Sequence, residues 1–62
     1  MCEFKVYVGG VQVTEDVVYA LAEGDKVIIR DILGEQRIFE GVEIMEVNVL
    51  STRLMLARAS DK

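Results

Sequence analysis

The chain has no histidine and no proline, and it has a single cysteine. Without histidine there is no ordinary general base near neutral pH, and a histidine-dependent triad is impossible. One cysteine cannot build a disulfide framework and fits a reducing compartment, so a cytoplasmic setting is expected. The longest uninterrupted apolar segment, residues 17–22, is far shorter than the roughly 20 residues a bilayer-crossing helix needs. No basic region followed by an apolar run opens the sequence, so a secretory signal is not expected and neither is a membrane role. Linkers, low-complexity tracts and internal repeats are also missing, which leaves residues 1–62 as one domain.

Positive charge is also scarce. Seven basic residues face eleven acidic ones, a net charge of -4 that repels phosphate backbones and argues against nucleic acid as a partner. The basic residues stand singly along the chain. Hydrophobic residues, by contrast, make up 52% of it, more than one small core can hide. A chain of 62 residues with no disulfide needs other support, and the simplest is a two-fold homodimer.

Residues 1–8 alternate, with Cys2, Phe4, Val6 and Val8 on one face and Glu3, Lys5 and Tyr7 on the other, the period of a half-buried strand. Gly9-Gly10 predicts a tight hairpin that returns the chain through residues 11–14. Further strands are expected over 17–22, 26–32, 37–40, 42–50 and 53–58, punctuated by turns at Glu23-Gly24-Asp25, Leu33-Gly34-Glu35 and Ser51-Thr52. A helix over 17–23 is the competitor, and Val17-Val18 with the nearby Gly24 argues against it. Within 42–50 the apolar phase changes between Ile44 and Val47, which predicts a bulge near 44–46. The expected fold is all-β, a small SH3-like or Sm-like barrel of about six short antiparallel strands. Phe4, Phe39, Leu54 and Leu56 are expected inside. Tyr7, Val18, Ala20, Ile29 and Met55 are expected on outward faces, where they would form an interface between copies. Residues 59–62 are expected to fray.

Enzyme chemistry finds no foothold. Thr14, Ser51, Thr52 and Ser60 lack a base, Glu15-Asp16 suits a turn, and Glu43 and Glu46 are expected on opposite faces. Cys2 remains, as a small buried hydrophobe or as a ligand. Its thiolate and backbone nitrogen can close a five-membered chelate ring, with the Met1 amine adjoining. If Met1 is removed, the Cys2 amine takes over, paired with the thiolate or the Glu3 amide. Amine, amide and thiolate form a planar field suited to nickel(II) or copper(II), whereas zinc prefers a tetrahedron. One chain supplies too few donors, so the site would be shared across a two-fold axis.

The opening Met1-Cys2-Glu3-Phe4-Lys5-Val6-Tyr7, together with Glu15-Asp16-Val17, Glu23-Gly24-Asp25, Arg30-Asp31-Ile32-Leu33-Gly34-Glu35, Val42-Glu43-Ile44 and Glu46-Val47, resembles the CooT family. These are small nickel-binding proteins linked to carbon monoxide dehydrogenase maturation, whose relatives are often labelled predicted RNA-binding proteins. The resemblance implies a homodimeric SH3-like β-protein, a Ni(II) ligand at Cys2 and a nickel-enzyme client. The absence of a histidine tail points to delivery of single ions rather than bulk storage. The alternative is a non-enzymatic RNA- or protein-binding barrel with a structural Cys2, in which Phe4, Tyr7, Tyr19 or Phe39 stacks on bases near Arg30, Arg37 or Arg53.

Overall fold

The computed structural model describes residues 3–58, and every regular element in them is a strand. In chain order these are β1 (Phe4–Val8), β2 (Val11–Glu23), β3 (Lys26–Asp31), β4 (Gln36–Glu40), β5 (Val42–Asn48) and β6 (Arg53–Arg58). They form one sheet ordered β4-β3-β2-β1-β6-β5. Every neighbouring pair is antiparallel except β1 and β6, which run parallel because the chain crosses the open side of the sheet before returning beside β1.

Gly9 and Gly10, at φ 59° and 86°, supply the two left-handed residues of a two-residue hairpin and fix the Val8↔Val11 register. The expected strands over 11–14 and 17–22 are one 13-residue strand, β2, bent instead of broken between them. Asp16 makes the bend, at φ 60°, a region that Asp tolerates better than most residues. Register shifts on either side let the first half of β2 pair with β1 and the second half with β3. Gly41, at φ 73°, turns the chain from β4 into β5. Its amide and that of Val42 donate to the Asp25 carbonyl, tying this corner to the β2–β3 hairpin.

Those ties curl the sheet without closing it: β4 and β5 are its two edges, with no ladder between them. Val6, Val17, Val27, Ile29, Val42, Leu54 and Leu56 are buried inside, with Phe4, Val8, Val13 and Phe39 packed against them. Ile29 therefore corrects the sequence expectation. It stands opposite Ala20 with its side chain 2% exposed, so Val27 and Ile29 are the inward pair of β3, while Ile28 faces outward beside Leu21 and Ile38. Arg37, opposite Ile29, puts a charge on the inward face of an edge strand, where it opposes pairing with a stray strand. The bulge expected in β5 is present, as a register shift between Ile44 and Glu46. It returns Ile44, opposite Leu56, and Val47, opposite Leu54, to the same inward side.

The β3–β4 turn is held by one carboxylate. Asp31 Oδ1 accepts from the Leu33 and Glu35 amides at 3.0 and 2.9 Å, while its backbone bonds Glu35 and Gly34. Asp31→Ala is expected to lose about 1–2 kcal/mol, since two amides lose their acceptor. Urea unfolding checks this, and an unchanged midpoint would show the turn holds without the side chain.

Candidate functional site

The sequence places its chemistry at residues 1–3. Glu3 is exposed and precedes β1, and the readings on Met1 and Cys2 lie outside the described residues. So do those on Ser60 and on residues 59–62. Among the described residues no group of three or more His, Cys, Asp or Glu side chains could hold a metal ion.

Phe4 lines a groove of about 250 Å³ together with Val17, Val18, Ala20, Ile44 and Val47. The groove lies where the curled sheet fails to close, between the second half of β2 and the bulged part of β5. Tyr19 and Leu54 complete it among the described residues, none of them charged. The β5–β6 turn is tied directly to β1, the Lys5 amide donating to the Thr52 carbonyl at 2.9 Å. Asn48 Oδ1 accepts from the Ser51 amide, and the Thr52 amide donates to the Val49 carbonyl. This pinned turn holds up two apolar side chains, Val49 at 63% exposure and Leu50 at 99%.

The acidic and hydroxyl candidates do not converge. Glu43 and Glu46 are exposed, and the bulge corrects their expected placement: opposite Ala57 and Met55, they share the outward face. Thr52 Oγ1 donates to the neighbouring Ser51 carbonyl. Thr14 lies half-buried on β2.

The outer face carries two pairs that the strand pattern did not predict. The Arg30 guanidinium sits 5.3 Å from the Tyr19 ring centre, and Arg53 sits 5.9 Å from that of Tyr7. Both are within cation–π range. Tyr19↔Arg30 follows from counting back along the ladder from Glu23↔Lys26, so the Gly24-Asp25 hairpin held the signal. Tyr7 and Arg53 meet only through the parallel β1–β6 pairing, which no local pattern encodes. Phe4 and Phe39 pack against the core, as expected.

The family described as CO dehydrogenase accessory protein CooT matches residues 1–57. An uncharacterized protein of Methanocaldococcus jannaschii is 34% identical over 56 residues, covering 90% of this chain and 96% of its own length.

Proposed function

This chain belongs to the CooT family of CO dehydrogenase accessory proteins, and from that premise we propose that it holds nickel(II) for delivery to carbon monoxide dehydrogenase under assembly. The ion is cargo. The Cys2 thiolate binds it, with the Met1 amine and the Cys2 backbone nitrogen, or the Cys2 amine and the Glu3 amide once Met1 is removed. Two chains share one ion, because a single chain offers too few soft donors for a square plane. The observation that carries the reading is the family match itself, which takes in all three residues. The donor chemistry agrees: no alternative cluster is found among the described residues, so the ion depends on the start of the chain.

Delivery also fits the molecule's other properties. A cytoplasmic dimer is consistent with one cysteine and an apolar excess. No helix of the described residues is long and apolar enough to cross a membrane. Equilibrium dialysis against nickel, with light scattering on the same sample, is expected to give one ion per two chains. One ion on each isolated chain would remove the shared site.

A second reading, an RNA-binding module with a structural Cys2, draws on one observation: Tyr19 is 44% exposed with Arg30 against it. A guanidinium beside an exposed ring can stack a base. Filter binding with single-stranded RNA would then show affinity falling steeply as salt rises. Flat or absent binding removes this reading.

A further inference from the structure

The outward face of β2, β3 and β4 carries a patch whose order the ladders fix. Leu21, Ile28 and Ile38 stand opposite one another across the three strands and make an apolar row. Leu21 is 42% exposed and Ile38 50%. Two positions along the strands in one direction, on the same face, the row is Tyr19, Arg30 and Gln36. Two positions in the other direction it is Glu23, Lys26 and Glu40. Arg30 is held from both sides, its guanidinium 5.3 Å from the Tyr19 ring centre and donating to Gln36 Oε1 at 3.2 Å, and its row holds no carboxylate. Lys26 has a glutamate on each side, so its row is net negative. We infer that this face docks an exposed amphipathic helix of another protein. The helix lays its apolar stripe along β3 over Leu21, Ile28 and Ile38, with carboxylates at the Arg30 end and basic side chains at the Glu23 and Glu40 end.

Dimensions and charge choose that occupant. Three strands spaced by ~4.8 Å make the apolar row ~10 Å across, the diameter of one helix. Because β3 has a ladder on both sides, a patch centred on it offers no free backbone edge to an added strand, and recognition falls to side chains. From Arg30 to Lys26 is ~14 Å of strand, which a helix covers in about nine residues. Arg30 is already fixed by Tyr19 and Gln36, so meeting a carboxylate costs it little freedom. A second copy of this chain fits badly. A two-fold axis lying along the apolar row sets Arg30 over Lys26 of the partner subunit, and one lying along β3 sets Arg30 over Arg30, so cation meets cation either way. RNA is opposed by Glu23 and Glu40 and by the net charge of -4. The docking does not rest on the proposed nickel cargo, since the patch uses none of residues 1–3.

The test is fluorescence anisotropy of the full chain at low salt with two synthetic leucine-striped helices of about 16 residues. One carries Glu in its first turn and Lys in its last; the other carries Lys in both. Nonspecific attraction to a chain of net charge -4 favours the all-basic helix, so the expected preference runs the opposite way: the Glu-Lys helix should bind at least ~10-fold more tightly. Arg30→Glu should reverse that preference. Ile38→Asp should weaken the Glu-Lys helix by at least ~10-fold, with the strand circular dichroism unchanged. Val11→Asp, at an apolar position 65% exposed on the half of β2 that pairs with β1, is the control and should bind as the unaltered chain does. Equal binding of the two helices, no saturable binding of the Glu-Lys helix up to about 1 mM, or a loss with Val11→Asp as large as with Ile38→Asp overturns the inference. Displacement of the helix by single-stranded RNA overturns it in favour of nucleic acid, and a fall to one-chain mass on Ile38→Asp in light scattering overturns it in favour of a second copy.

Discussion

Cys2→Ser is expected to abolish nickel binding, lowering affinity by at least ~100-fold and removing the thiolate-to-nickel charge-transfer absorbance. The loss should be complete because the described residues offer no cluster to fall back on. The chain has no histidine and no second cysteine. Its carboxylates do not form a metal-holding group among the described residues, and hard oxygen donors suit nickel in a planar field poorly in any case. Serine keeps the size of the side chain and the backbone nitrogens, so the substitution tests the sulfur alone. Binding should also weaken as pH falls, because protons compete for the thiolate and the amine, and each ion bound should release protons. Equilibrium dialysis and an absorbance scan of the two proteins read both effects. Nickel retained by Cys2→Ser with unchanged affinity would sink the proposed cargo site, whatever the family.

How much of this was legible in the sequence depended on whether the governing interaction was local. The alternation of β1, the Gly9-Gly10 turn and the phase change in β5 are encoded within a few residues, and each stands where the pattern put it. Ile29 went astray because Val27-Ile28-Ile29 is apolar throughout, so periodicity cannot say which side faces in. The pairing of Ile29 with Ala20 on a curled sheet decides it, and that is a long-range fact. Glu43 and Glu46 show the same limit from the other side. Spacing alone separates them, whereas the bulge unites them on the outward face. The bend at Asp16 was legible as an interruption but not as a continuous strand, since only the two successive partners of β2 reveal that it serves both halves of the sheet. The groove follows from that bend. It exists because the two halves curl toward each other and stop short, so no segment of sequence contains it.

Leu56→Ala is expected to leave the chain largely unfolded at low concentration and to recover in part as concentration rises. Leu56 is 1% exposed and lies on β6, between β1 and β5, opposite Val8 and Ile44. Removing three carbons from such a site costs about 2–5 kcal/mol in transfer and cavity terms. A domain of 62 residues has roughly 3–9 kcal/mol to lose, and with seven hydrophobic residues buried among the described residues this one belongs toward the lower end. If pairing of two chains contributes to the stability of each, unfolding must depend on protein concentration, because mass action favours the state that binds a partner. Thermal unfolding by circular dichroism at about 5 and 200 µM should therefore give a midpoint that rises with concentration for the unaltered chain and for Leu56→Ala alike. A midpoint independent of concentration in the unaltered protein would mean that this half-closed sheet stands alone.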